Sequence, residues 1–362
     1  MADPRRGRLS ALADSLVARH LDALLVTGLS NIRYLTGFSG SSALLVLTPA
    51  ATLLITDFRY QTQVAEEVGT LARVTIEPVS LWTGLWQQLA ALAHVRQIGF
   101  ESAHLAHRDF ERVLESGGKW HWTPTVDLIE GLRERKDSGE VERIQRAADI
   151  ATAALRRALP QLRPGMTELE AAGVLEHALR DEGSEGFAFP TIVAAGARSA
   201  LPHARATSHR VSRGDFLLFD FGAVTDGYCS DVTRTVVMGR ATPEQREVYD
   251  VVRGANAAAS SGVRVGMTGR DADAIARSYI ERHGLGDLFG HGLGHGIGLD
   301  VHESPRLAKT NEQPLPPVAV VTIEPGVYRP GWGGVRIEDD VWLGGDGARV
   351  LTDFPRELLE LE

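Results

Sequence analysis

A single cysteine, Cys229, stands among 362 residues, so the chain can form neither an intrachain disulfide nor a cysteine-built metal site. It has no uninterrupted run of about eighteen apolar residues, the length a membrane-spanning helix needs. It also lacks a basic surplus. Lys and Arg number 38 against 47 Asp and Glu, and the net charge of −9 has the wrong sign for a general nucleic-acid binder. The basic start reads as a surface helix rather than a signal peptide, because Asp14 and Arg19 interrupt Leu9, Leu12, Ala13 and Leu16, which fall at helical spacing. These absences point to a cytoplasmic protein that engages neither membrane nor nucleic acid. The 43% hydrophobic content suits a well-packed core, and the length suggests two domains.

The first 130 residues alternate short apolar runs with helical patterns. Residues 22–27, 42–48 and 52–56 read as strands, and 58–68, 81–93 and 105–114 as helices, an α/β pattern with no ligand-spaced cluster of histidines or carboxylates. Trp82 and Trp86, four apart, read as helix core. A charged stretch follows, with Ser138 as the expected cap of a helix starting near Glu140. The boundary is set there, giving domains 1–133 and 134–362. The second domain repeats itself: Arg163-Pro164-Gly165-Met166-Thr167 returns as Arg264-Val265-Gly266-Met267-Thr268, 101 residues later. Each copy runs through a helix and a glycine-containing loop into a pair of strands. Two halves related by a pseudo-twofold axis, with a site where they meet, explain this order.

The strand pairs carry acids. Reflecting Asp220 through the centre of the turn 224–227 gives Asp231, and reflecting Glu324 through Gly331 gives Glu338. Each pair should face across neighbouring strands, with Cβ atoms about 5 Å apart. Four carboxylates in one cleft repel each other unless cations are present. Two divalent metal ions would resolve that repulsion and could activate a shared water. The oxygen-rich set favours Mn²⁺, with Co²⁺, Fe²⁺ or Zn²⁺ as alternatives. Three of the twelve histidines, His291, His295 and His302, lie in GHGLGHGIGLDVHE, and His203 precedes the first strand pair as His302 precedes the second. The strand argument does not choose between His291 and His295 as a ligand. The glycines there do not make a phosphate loop, since no helix start and no lysine follow. Thr233 is placed to hydrogen-bond a ligand carboxylate. Cys229 reads as simply buried, and Tyr328 as pocket wall or substrate contact.

LFDFG with CSDVTRT, then GHGLGHGIGLDVHE, TIEPGVY and VRIEDD, resemble the ordered motifs of the pita-bread metallopeptidases. Within these the closest likeness is to the Xaa-Pro peptidases, prolidase and aminopeptidase P. SNIRYLTGFSGS and LITDFRY resemble the family's creatinase-type N-terminal domain, which argues against a methionine aminopeptidase. The resemblance implies an α+β protein, an α/β N-terminal domain followed by a pita-bread domain. It places the metal ligands on Asp220, Asp231, His295, Glu324 and Glu338. It assigns substrate-contacting and proton-handling roles to His203, His291 and His302, and a substrate contact to Arg336. It also implies metal-assisted hydrolysis of the bond before proline, with Glu324 managing the proton of the attacking water. Substrates would be small peptides with proline second, and the assembly a homodimer. An Xaa-Pro dipeptidase is preferred over aminopeptidase P. A binding-only pita-bread protein or a creatinase-like amidinohydrolase would not be expected to keep the full ligand set.

Overall fold

The apolar runs near the start of the chain form strands Ala23–Val26, Ala43–Leu47 and Thr52–Thr56, all but one of their residues buried. The computed structural model describes residues 3–345 and 347–362, in two compact units, Met1–Arg133 and Glu134–Glu362. In the first unit the three strands pair antiparallel, and Arg73–Ile76, Gln97–Glu101 and His121–Thr125 complete a six-stranded mixed sheet by parallel pairing. Parallel neighbours need a crossover, and helices Gln61–Val68 and His107–Ser116 supply two of them. The sequence reading missed those three added strands. The residues of Arg73–Ile76 and His121–Thr125 are exposed or half-buried and the latter contains Pro124, so neither shows an apolar run. Ala23, Leu25, Leu44, Val46, Leu53 and Ile55 pack against Leu85 and Leu89 of helix Leu81–Ala91. Trp82 and Trp86 join that core, Trp86 stacking on Trp120 at 6.0 Å.

The second unit opens with helix Ser138–Ala158. Its cap is Asp137, one residue before the expected Ser138. Asp137 accepts from the Glu140 amide at 2.9 Å, and Glu140 accepts from the Asp137 amide at 3.0 Å, a reciprocal box that serine at 138 is not placed to make.

The repeat is plain in the backbone. The Gly165 amide donates to Val211 and that of Gly266 to Leu315; the Glu168 amide donates to His209 and that of Gly269 to Gln313. Gly165 and Gly266 both hold positive φ, 91° and 84°, which lets the chain turn from loop into helix. Thr167 and Thr268 then cap helices Glu168–Asp181 and Gly269–Arg282. Each half has its own hydrophobic core, one around Leu155, Leu175 and Phe219, the other around Val252, Ile280 and Val321. Ile192–Ala195, Phe216–Phe221 and Val232–Met238 form the first half's sheet with the short Glu360–Leu361. Gly294–Gly296, Glu303–Leu307, Val320–Ile323, Asp339–Gly344 and Gly347–Val350 form the second.

Candidate active site

The first pair of acids sits on a hairpin whose register differs from the expected one. Asp220 lies opposite Thr233, not Asp231, and Phe221 opposite Val232. The turn is the two-residue Asp226-Gly227, both at positive φ, 48° and 75°, so its centre falls one residue later than the reflection assumed. The pairing thereby slips by two. Because strand side chains alternate with period two, a slip of two keeps Asp231 on the face of Asp220, diagonally displaced. In the second hairpin the centre is Gly331. Gly326 pairs with Arg336, and Ile323 with Asp339, so Glu324 and Glu338 lie at opposing positions between the two ladders. Thr233 joins the hairpins: its carbonyl accepts from the Glu338 amide at 3.1 Å, and its hydroxyl donates to Glu338 Oε2 at 2.5 Å. That is the carboxylate contact expected of Thr233.

His295 lies on the short strand Gly294–Gly296. The flanking glycines are required by close approach, because a Cβ at 294 would lie 2.0 Å from the Thr322 carbonyl and one at 296 would lie 2.1 Å from that of Ser304. Its Nδ1 meets the Gly296 carbonyl at 3.1 Å, leaving Nε2 3.5 Å from Glu324 Oε1 and 3.8 Å from Asp231 Oδ2. The His302 ring packs edge-on against His295, centroids 4.4 Å apart. His291 Nε2 meets the Tyr328 hydroxyl at 2.9 Å. Arg336 donates to that hydroxyl at 2.8 Å, to Thr233 Oγ1 at 3.0 Å and to Asp220 Oδ2. All nine candidate residues, with the exposed His203 among them, line one cleft of about 900 Å³ within the second unit. Cys229 does not line it, and is buried beside Val141 and Ile144.

Burial, and then the neighbouring carboxylates, push Asp231 and Glu338 well above the usual carboxylate range. Burial raises Glu324 to about 8 and lowers His295 to about 3, which keeps that imidazole neutral and able to donate a lone pair. Carboxylates strained in this way fit a cation. One donor atom each from Asp231, His295 and Glu338 lie within 4.8 Å of one another. Asp220 Oδ1 and Asp231 Oδ1 are buried with no hydrogen-bond partner, which is costly unless an ion takes them.

The sequence reading passed over three features of the cleft. Arg205 and Arg306 are exposed arginines on its wall, and Phe189, Ile192 and Val301 give it an apolar side. Arg205 lies in an irregular segment and Arg306 is the exposed residue of the short strand Glu303–Leu307, so neither carries a periodic signal and only the folded cleft reveals them. Asp340, buried behind the site, accepts from the Asp231 amide at 3.1 Å, and its place in IEDD could have drawn notice.

Two repeat-related halves that close on buried acids and histidines define a pita-bread metallopeptidase. Residues 142–344 match the profile of metallopeptidase family M24, and residues 8–135 that of the creatinase/prolidase N-terminal domain. The chain belongs to metallopeptidase family M24, which implies divalent metal ions. It is 36% identical to the Xaa-Pro dipeptidase of Pyrococcus furiosus, over 97% of this chain and 99% of that one. Among solved structures it is similar to the Xaa-Pro dipeptidase from Bacillus anthracis, with TM-score 0.95, 36% identity and coverage of 99% and 100% of the two chains. It is similar also to the X-Pro aminopeptidase from Thermotoga maritima, with TM-score 0.90, 36% identity and coverage of 98% and 99%.

Proposed function

We propose that the protein is an Xaa-Pro dipeptidase that hydrolyses the bond preceding a C-terminal proline. One observation carries this reading: a buried acidic cluster lines the same cleft as Arg306, an exposed arginine with no ion-pair partner among the described residues. A dipeptide presents an ammonium and a carboxylate a few bonds apart, and the cleft offers a partner for each. The apolar side made by Phe189, Ile192 and Val301 suits a pyrrolidine ring.

Asp220, Asp231, His295, Glu324 and Glu338 are the residues we assign to hold two divalent ions. When bound, the ions would polarise the scissile carbonyl and lower the pKa of water. Glu324 is the group assigned to take the proton of the attacking water, its Oε1 standing 3.5 Å from His295 Nε2 inside the acidic cluster. His291 or His302 faces the developing oxyanion in this reading, and His203 and Arg336 contact substrate. Arg336 also keeps Asp220 oriented, leaving Oδ1 free. The oxygen-rich donors favour Mn²⁺. A homodimer and a cytoplasmic setting complete the reading; the scarcity of cysteine is consistent with the second.

Aminopeptidase P activity is the second reading. The cleft continues past the acids to Leu169, Ala172 and Glu176 of helix Glu168–Asp181, which gives room for residues beyond a dipeptide. The test is a rate comparison, with Mn²⁺ supplied, between an Xaa-Pro dipeptide and an Xaa-Pro-Yaa tripeptide. Faster turnover of the dipeptide supports the proposal, and preference for the tripeptide replaces it with the second reading. If neither is cut while metal is bound, both readings fail.

A further inference from the structure

His291 sits in an irregular, glycine-flanked segment, between Gly290 and Gly292, where the backbone has little intrinsic stiffness and no ladder partners. Its ring nonetheless meets Tyr328 at hydrogen-bond distance. The restraint comes from helix Gly269–Arg282. Asp273 and Arg277, one turn apart on that helix, form a two-pronged ion pair at 2.7 and 2.9 Å, their side chains 1% and 8% exposed. The pair spends its remaining valences on the histidine segment. Arg277 donates to the carbonyls of Phe289 at 2.8 Å and of His291 itself at 2.6 Å, and Asp273 Oδ1 accepts from the Leu293 amide at 3.0 Å. The guanidinium also lies over the Phe289 ring at 4.2 Å, and that ring meets His291 edge-on at 5.0 Å.

The other half repeats the device with different residues. Glu168 is fully buried and pairs with Arg198 at 2.9 Å. It accepts from the amides of Ala195 and Thr207, on either side of His203, while Arg198 donates to the Arg205 carbonyl. Each half thus ties its histidine-bearing loop to its own helix through one acid–arginine pair whose acid is buried. Mere structural filling would not require the guanidinium to meet the histidine's own carbonyl.

We infer that Arg277, oriented by Asp273, is a positioning residue that fixes the His291 imidazole against Tyr328. The inference rests on the peptidase reading only for its kinetic consequence. Arg277→Met should lower kcat for an Xaa-Pro dipeptide about 10- to 100-fold, the range typical of supporting contacts around a metal site, with little change in KM. Metal stoichiometry should be unchanged. In the double variant with His291→Ala, the added loss should be under about threefold, because both changes remove one unit. In histidine-labelled protein the His291 imidazole signals should shift in Arg277→Met. Arg277→Lys, which keeps the charge without the fork, should fall between. If Arg277→Met does not fold, Asp273→Asn serves in its place: it removes the carboxylate that orients the guanidinium, so the His291 signals should shift and kcat should fall by less than in Arg277→Met, and unmoved signals would overturn the inference. Additive losses in the double variant, metal lost in step with activity, or unmoved His291 signals would each overturn the inference. Should wild-type protein cut no Xaa-Pro bond, the imidazole signals still decide it, and only the substrate reading falls.

Discussion

Among the described residues, two clusters of carboxylate and histidine look alike on paper and differ in how their charges are met. In the first unit Glu101, His104 and Glu130 bring one donor atom each to within 4.8 Å of one another, as Asp231, His295 and Glu338 do in the second. Yet Glu101, though burial still raises its pKa, has both carboxylate oxygens taken by donors. Its Oε2 accepts from the Thr27 amide at 2.6 Å and the Gly28 amide at 2.8 Å, and its Oε1 from Asn31 at 2.6 Å. Glu130 accepts from Asn31 at 2.6 Å and His104 at 2.8 Å, and Arg133 closes the circuit at the Asn31 carbonyl oxygen. The second cluster is left with carboxylates that raise one another's pKa and oxygens that meet no donor. The lesson is that ligand type and spacing do not make a metal site. Oxygens left without a donor in a dry place do, and a network that supplies those donors lessens the demand for an ion.

The sharpest way to break this comparison is to remove one charge from each cluster. Glu338→Gln should abolish turnover and weaken Mn²⁺ binding in calorimetry by more than the roughly 10- to 100-fold typical of a lost supporting contact. Glu101→Gln should leave metal binding and turnover at wild-type levels. Metal lost from the Glu101→Gln protein would show that both clusters bind ions. A gentler change follows from Thr233, whose hydroxyl fixes Glu338 from the neighbouring hairpin. Thr233→Val keeps the strand shape and deletes that bond, so Mn²⁺ affinity should fall about 10- to 100-fold with kcat at saturating metal reduced less. Unchanged affinity would mean that the carboxylate is held by the ions alone.

The Glu101→Gln variant has its own cost, in stability rather than chemistry. Two backbone amides and Asn31 would face an amide that cannot accept from all of them, at about 1–3 kcal/mol for the buried groups left over. Hydrogen exchange at Thr27 and Gly28 should quicken accordingly, while exchange in the second unit stays as it was. Equal protection in both proteins would show that the network contributes nothing to that unit's stability.

How much of this was legible without coordinates divides along the same line. The second cluster announces itself because its acids sit on strand pairs and inside a repeat, and pairing rules act at short range. The Gly331 centre gave the right register outright. The Asp226-Gly227 turn was misplaced by one residue, although the dipeptide Asp-Gly is itself the hairpin signal, and the site survived only because the error was even. The cap at Asp137 was there to read in the spacing to Glu140. The Glu101 network was not, since it ties residues 27–31 to residues 101, 104, 130 and 133, and such separations are fixed by how the sheet assembles. Asp273 and Arg277 stand at helical spacing, but what they grip is a loop whose path no local rule gives. Local geometry was readable; contacts made by irregular segments were not.

The smallest effect is expected from His104, and its smallness is informative. Its ring nitrogen lies 2.8 Å from Glu130, with side chains 34% and 25% exposed, so water competes for both groups. Glu130 keeps its bond from Asn31 when the ring is gone. His104→Ala should therefore cost under about 1 kcal/mol, seen as a slight rise in exchange at Gly28, whose Cα carries no side chain to spare the packed imidazole. The matching change in the other cluster, His295→Ala, removes a donor that burial has kept neutral, and should reach metal affinity directly. If His104→Ala cost as much as Glu101→Gln, the histidine would be an integral part of the first network, and the contrast between a satisfied cluster and an unsatisfied one would lose its simplest form.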